Sequence, residues 1–67
     1  MNVNELTNRL WYDAEIVIYS KEYDPCKENR VLWQGNNYEL RSVTAKEIRN
    51  LPVISYGIDE GKLVIVC

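Results

Sequence analysis

Residues Thr44–Cys67, TAKEIRNLPVISYGIDEGKLVIVC, are the stretch that decides the fold of this 67-residue chain. Thr44 and Glu47 have the spacing of a capping box, in which a hydroxyl and a carboxylate satisfy the free amide groups at the start of a helix. Val43 and Ile48 are spaced as a hydrophobic staple across the same helix start. The sequence therefore predicts a short helix that begins at Thr44.

A β-hairpin is predicted to follow this helix. Pro52 ends the helix, which we place over residues 45–50, because proline lacks an amide proton and pushes the preceding residue toward extended geometry. Two apolar runs come next, Val53–Ile58 and Lys62–Cys67. The turn between them contains Gly61, which can adopt a positive φ at no steric cost.

The first residues of the chain predict another helix. Residues 3–10 place apolar side chains at positions i, i+3 and i+7, which is one face of a helix. Asn2 or Asn4 can cap its first turn. We therefore expect a helix over residues 3–10.

Two further strands are predicted between the helices. Glu15–Tyr19 is rich in β-branched residues, and Arg30–Gln34 has a similar apolar character. They are expected to pair in antiparallel fashion through the polar segment Ser20–Asn29, which is too long for a tight hairpin. Gly35–Asn37 is expected to break the chain. The pattern leaves Tyr38–Arg41 open between a helical turn and an extended link.

These elements predict an α+β domain over residues 1–67, with the order αββαββ. The sheet is expected to have four strands, mainly antiparallel, in the spatial order 2-1-4-3, with one or two short helices on one face. The two most apolar strands take the central positions in this arrangement. The opposite face would then expose apolar side chains, either Val17 with Tyr19 or Ile16 with Ile18, and exposed apolar area of this kind marks an interface.

Composition argues against several classes of function. The formal charge is −2, without the basic excess that phosphate binding requires, so we do not expect direct binding to nucleic acid. The chain has no His and only two cysteines, Cys26 and Cys67, so we expect no metal and no other cofactor. No apolar run approaches the roughly 20 residues that span a bilayer. In a chain without a signal peptide we expect reduced thiols and a cytoplasmic location.

Catalysis is not expected either. Without His, the Ser-His and Cys-His arrangements are lost. Lys27 could lower the pKa of Cys26, but no general base stands nearby in the sequence, so we interpret this thiol as an ordinary loop residue. The carboxylate pairs Asp13 with Glu15 and Asp59 with Glu60 fit strand ends and turns better than a deep catalytic cleft. The sequence thus predicts a protein that is not an enzyme.

The aromatic residues give the strongest indication of function. The chain has two Trp, five Tyr and no Phe. We expect Trp11 and Trp33 to fill the core in place of Phe. Tyr23 lies in a polar segment and Tyr38 follows a turn signal, so both are expected to face solvent or a partner. The predicted partner-binding residues are Glu22, Tyr23, Asp24, Glu28 and Tyr38.

The chain as a whole resembles small uncharacterised proteins of bacteriophages and prophages of Gram-positive bacteria. The residues that carry this resemblance are Val3–Leu6, Asp13–Tyr19, Trp33–Gly35, Leu51–Val53 and Gly61–Ile65. The resemblance implies a compact α+β domain in a phage setting, and it transfers no site residues. Ser20–Asn29 departs from the tighter hairpin that the resemblance would imply.

The resemblance and the aromatic residues together favour a binding module that occludes a host protein, such as a component of a bacterial defence system, as anti-CRISPR proteins do. Small domains often gain stability by self-association, so we also expect a homo-oligomer. The alternatives are a self-assembling structural or accessory protein and a small nucleic-acid-associated regulator.

Overall fold

The computed structural model describes residues 1–21 and 31–67, which form one mixed β-sheet with short helices. A 3₁₀ turn, Val43–Ala45, lies between the second and third helices. No helix in these two ranges is long and apolar enough to cross a membrane. In chain order the helices and strands are α1 (Val3–Thr7), β1 (Glu15–Tyr19), β2 (Val31–Asn36), α2 (Asn37–Leu40), α3 (Lys46–Arg49), β3 (Ser55–Asp59) and β4 (Lys62–Val66).

The strand order is β2-β1-β4-β3, as the sequence predicted. β1 pairs with β2 in antiparallel fashion and with β4 in parallel fashion, while β3 and β4 form the antiparallel C-terminal hairpin. The α+β class and the central position of the two most apolar strands are therefore confirmed. The pairing of β1 with β2 contains an irregularity in register between Ile18 and Tyr19, whereas the pairing of β3 with β4 is continuous from Ser55 to Asp59.

The core lies between the two central strands and the helices. Ile16 and Ile18 of β1 and Ile65 of β4 are fully buried. Their apolar cover comes from α1, α2 and the 3₁₀ turn, because each of these elements turns a short apolar side chain toward the sheet. The buried members of this cluster are Val3, Ile16, Ile18, Leu40, Ala45, Leu63 and Ile65.

The helix starts differ from the predicted ones. The prediction of a capping box at Thr44 and Glu47 is wrong: α3 has no side-chain cap, and Thr44 Oγ1 lies 2.9 Å from Ser42 Oγ. The predicted staple fails as well, because Val43 is 87% exposed. The physical reason is that the chain is already helical in this region, since the 3₁₀ turn begins at Val43 and runs directly into α3.

The capping box instead occurs at the start of α1. Asn2 Oδ1 accepts a hydrogen bond from the amide of Glu5 at 2.8 Å, and Glu5 Oε1 accepts one from the amide of Asn2 at 3.3 Å. Asn2 is thus the cap, and Asn4 is not. The helix ends at Thr7, earlier than the predicted residue 10.

Gly35 does not break the chain, because β2 continues through it to Asn36. A Cβ atom at Gly35 would lie only 2.9 Å from Cη2 of Trp33, so glycine leaves the space in which the indole lies. Trp33 packs partly buried against the core, as expected. Asn36 then caps α2 by accepting a hydrogen bond from the amide of Glu39 at 2.8 Å. The region Tyr38–Arg41 is therefore a helical turn, not an extended link.

The closing hairpin has a two-residue turn. Asp59 pairs with Lys62, and the turn residues Glu60 and Gly61 have φ values of 52° and 78°. Two consecutive positive φ values are typical of a type I′ turn, whose twist matches that of the paired strands. The expected positive φ at Gly61 is confirmed, and Glu60 adopts one too.

The exposed apolar residues do not lie where the sequence placed them. Val17, which belongs to the sheet face opposite the core residues Ile16 and Ile18, is only 7% exposed. In contrast, every residue of β3 is exposed. Tyr56 and Ile58 pair with Ile65 and Leu63, so they share the face of the buried core, yet they are 57% and 72% exposed. The helices thus cover the central strands and leave β3 uncovered.

Candidate partner-binding surface

Of the five residues predicted to contact a partner, the structure describes Tyr38. It lies in the first turn of α2, and 70% of its surface is exposed. The prediction that Tyr38 faces solvent is therefore confirmed. The other four, Glu22, Tyr23, Asp24 and Glu28, lie outside the described residues, as does Cys26.

Tyr38 is paired with a second exposed tyrosine that sequence reasoning did not select. The ring of Tyr12 meets that of Tyr38 edge to face, with a centroid separation of 6.3 Å and an interplanar angle of 81°. Such a pair contributes about 0.5–1.5 kcal/mol beyond the area it buries. Because Tyr12 is itself 69% exposed, the two rings form a surface feature and not a part of the core.

Main-chain hydrogen bonds hold the two tyrosines together. The amide of Tyr38 donates to the carbonyl of Tyr12 at 2.8 Å. The amide of Asn37 donates to the carbonyl of Ala14 at 3.0 Å. The turn before β1 is therefore bonded to the start of α2. Because these bonds already fix the backbone beside both tyrosines, little backbone freedom would be lost on binding.

The side chain of Asn37 anchors this region to α1. It is only 2% exposed, and its Nδ2 donates to the carbonyls of Thr7 and Leu10, each at 3.1 Å. Thr7 is also buried, and its hydroxyl donates to the carbonyl of Val3 at 2.7 Å. Among the described residues, Asn37 Oδ1 has no hydrogen-bond donor. One buried amide thus joins the C-terminal end of α1 to the helix that carries Tyr38.

Arg41 forms a second connection between α1 and the residues that follow α2. Its Nη1 donates to Asn4 Oδ1 at 2.6 Å, and its Nη2 donates to Thr7 Oγ1. Burial, followed by repulsion from Arg49, lowers the pKa of Arg41, and Tyr12 opposes this shift. The guanidinium is therefore engaged in fixing α1 to α2.

Among the residues that the structure describes, four line a shallow depression of about 460 Å³: Tyr12, Tyr38, Arg41 and Ser42. We call these four residues the tyrosine surface. Arg49 supports its rim, because its Nη1 donates to the carbonyls of Leu40 and Ser42. The lining thus includes two amphipathic tyrosine rings together with Arg41, whose guanidinium is bonded to α1.

The prediction that Trp11 fills the core is wrong. Trp11 is 82% exposed and directly precedes Tyr12 in the chain. The reason is the early end of α1, after which residues 8–14 form turns on the surface instead of a buried helical face. The sequence signal that could have indicated this is the run Trp11-Tyr12-Asp13, in which two large aromatics lie beside a charged residue.

A second depression, of about 370 Å³, has a different chemical character. It lies at the start of β1 and contains the ion pair of Glu15 and Lys62, whose charged atoms are 3.6 Å apart. Glu39 contributes a further carboxylate. Both members of the ion pair are well exposed, so this is a solvated surface pair of small energetic value.

The described residues give no support to metal or thiol chemistry. They contain no cluster of three or more His, Cys, Asp or Glu that could hold a metal ion. Cys67 is partly buried, and this burial raises the pKa of its thiol, which favours the unreactive protonated form.

Comparison with known proteins identifies no relative. No family model, no curated protein sequence and no solved structure matches this chain.

Proposed function

We propose that this protein is a binding module that occludes a host protein through the tyrosine surface. The observation that carries the proposal is the edge-to-face pair of Tyr12 and Tyr38, two rings that are both largely exposed and held by main-chain bonds. Tyr, Trp and Arg are the residue types that dominate the energy of protein interfaces. Trp11 extends the same chain segment with a third exposed ring.

Acidic residues outside the described ranges support the same proposal. Glu22, Asp24 and Glu28 place three carboxylates within seven residues of the sequence. Carboxylates on one protein raise the rate of encounter with a basic patch on its partner. The proposed partner is therefore a host protein with a basic patch, such as a nucleic-acid-binding component of a defence system.

The proposal is tested with Tyr38→Ala and Tyr12→Ala, and Tyr56→Ala serves as the matched control. Immobilised wild-type protein is used to capture partners from a lysate of a Gram-positive host, and each captured partner is then purified and titrated in solution. Loss of a hot-spot ring costs about 2 kcal/mol or more, so affinity should fall at least about thirtyfold in the first two variants. Tyr56 is comparably exposed but lies on β3.

Two results would count against this proposal. One is that no purified partner binds the wild-type protein. The other is that Tyr56→Ala weakens binding as much as Tyr38→Ala does. The titrations should be run below micromolar protein concentration, so that self-association does not contribute to the measured affinity.

A self-associating protein is the second candidate function. The observation that favours it is the exposure of every residue of β3, an edge strand whose apolar side chains Tyr56 and Ile58 are each more than half exposed. Sedimentation velocity over about 1–200 µM tests this candidate, and a monomer at every concentration would contradict it.

A further inference from the structure

We infer that β3 pairs with β3 of a second copy of this chain, in antiparallel register centred on Gly57. The inference rests on the proposed self-association and specifies its geometry. Two copies would then form one continuous sheet with the order β2-β1-β4-β3-β3-β4-β1-β2. A two-fold axis through the interface makes it isologous, so that each contact occurs twice.

The edges of the sheet are not equivalent. β2 has an irregular register with its neighbour, and such irregularities are one way in which natural edge strands avoid pairing with another chain. β3 has a regular register along its whole length, and it contains no Pro, no Lys and no bulge within Ser55–Asp59. Of the two edge strands, β3 is therefore better suited to pair with a strand of another chain.

The hydrogen-bonding pattern of the hairpin favours one register. In a two-residue hairpin the residues that flank the turn, Asp59 and Lys62, form a hydrogen-bonded pair, and such pairs alternate along the ladder. The main-chain groups of Ser55, Gly57 and Asp59 therefore point toward β4. Those of Tyr56 and Ile58 point toward the free edge, and they are the groups that a second strand would engage.

The sequence of β3 is self-complementary in this register. Tyr56 of one copy lies opposite Ile58 of the other, and aromatic residues paired with β-branched ones are among the favourable cross-strand pairs. Both side chains are more than half exposed in the single chain, so their pairing would remove apolar area from water. Ser55 lies opposite Asp59, so a hydroxyl meets each carboxylate and no two like charges face each other.

Gly57 occupies the centre of the proposed interface, where the two-fold axis passes between the strands. It would face its own copy as a non-hydrogen-bonded pair, for which the Cα atoms are about 4.5 Å apart. A Cβ atom built at Gly57 meets no heavy atom within 4 Å in the single chain, so this position is open. Each copy contributes one strand of five residues to this pairing. Such an interface is small compared with those of specific complexes, which predicts dissociation in the micromolar range or above.

Disulfide trapping tests the register directly. The separation at Gly57 falls within the range of 4.4–6.8 Å that a disulfide bridges, whereas two copies of residue 55 would lie about 13 Å apart. We expect Gly57→Cys to form a covalent dimer on mild oxidation, in a background in which Cys26 and Cys67 are replaced by Ser. Ser55→Cys is equally exposed to solvent and should stay monomeric, but it should cross-link when mixed with Asp59→Cys.

Sedimentation of protein without introduced cysteines tests dimerisation separately from the register. Wild-type protein should dimerise at high concentration, Ile58→Lys should abolish the dimer, and Val43→Lys, with the same charge change at another exposed apolar residue, should retain it. A dimer in which Ser55→Cys cross-links as readily as Gly57→Cys would overturn this register and leave self-association standing. A wild-type protein that stays monomeric at about 200 µM would overturn both.

Discussion

Replacing Asn37 with Asp tests whether a single buried amide holds the tyrosine surface in place. The substitution keeps the shape of the side chain but exchanges the Nδ2 donor for an acceptor. The two carbonyls that Nδ2 serves, those of Thr7 and Leu10, would then each face a carboxylate oxygen in a site that is 2% exposed. We therefore expect a large loss of stability at pH 7.

The size of the expected loss of stability follows from the number of hydrogen bonds that Asn37 makes. Two hydrogen bonds at about 0.5–1.5 kcal/mol each give about 1–3 kcal/mol for Asn37→Ala. Asn37→Asp adds the cost of burying a charge without a partner, so its total should exceed about 3 kcal/mol at pH 7. A chain of this length has roughly 3–10 kcal/mol of stability in all, so a loss of about 3 kcal/mol would remove between about a third and all of it at pH 7.

The pH dependence provides a sharper test. Burial near two carbonyls raises the folded-state pKa of the introduced carboxyl group above its unfolded value of about 3.9. Relative to Asn37→Ala, stability should therefore be highest below pH 4 and should fall as the pH rises through the folded-state pKa. At low pH the protonated group can donate one hydrogen bond.

Urea unfolding followed by circular dichroism measures these differences, with Asn37→Ala as the control at each pH. If Asn37→Asp were as stable as wild type at pH 7, the proposed anchor would not exist. If its stability relative to Asn37→Ala did not change between pH 3 and pH 7, the introduced group would not be buried. Either outcome would refute the reasoning.

Three further predictions follow from other parts of the fold. Gly35→Ala should destabilise the protein by about 1–3 kcal/mol in urea unfolding, because its methyl group would displace the indole of Trp33. Glu60→Asn should raise the thermal midpoint, with a gain of about 0.5–1 kcal/mol, because Asn accepts the positive φ of this turn more readily than Glu does. Burial raises the pKa of the Cys67 thiol, so iodoacetamide should reach its half-maximal alkylation rate at a higher pH for Cys67 than for free cysteine, as followed by mass spectrometry of Cys26→Ser protein. A midpoint at or below that of free cysteine would contradict this burial.

The sheet was predictable because the residues within each central strand are sufficient to identify it as a buried strand. The β-branched run Glu15–Tyr19 appears in the structure with the predicted bounds, and the apolar character of the central strands was sufficient to give the strand order. Burial on both faces requires continuous apolar runs, and of the four strands in the described ranges only β1 and β4 have them. The order therefore follows from composition without any knowledge of the loops.

The helices were less predictable because a capping motif does not specify which of several competing starts is used. Asn2 with Glu5, Asn36 with Glu39 and Thr44 with Glu47 all have the same three-residue spacing. The first two form caps in the structure and the third does not. The difference is tertiary: Asn37, next to the second cap, is bonded to α1, whereas Thr44 lies inside a 3₁₀ turn that begins at Val43.

The tyrosine surface could be predicted only in part, for a related reason. Tyr38 follows a turn signal and was correctly assigned to the exterior. Tyr12 becomes its neighbour through hydrogen bonds between residues 12 and 38 and between 14 and 37, which are distant in sequence. No spacing rule indicates such contacts. Trp11 was misplaced because a large aromatic residue usually fills the core of a small domain, and here the early end of α1 leaves it on the surface.

The two proposed interfaces belong to different ends of the sheet, and this arrangement has a functional consequence. α2 continues directly from β2, so Tyr38 lies beyond one edge strand, while β3 forms the other edge. Pairing through β3 would therefore leave both tyrosine surfaces of a dimer open. A dimer with two free surfaces can bind two sites of an oligomeric partner, and linked binding of this kind can exceed the single-site affinity by 10²–10⁴. Ile58→Lys should consequently weaken binding to an oligomeric partner and leave binding to its monomeric form unchanged.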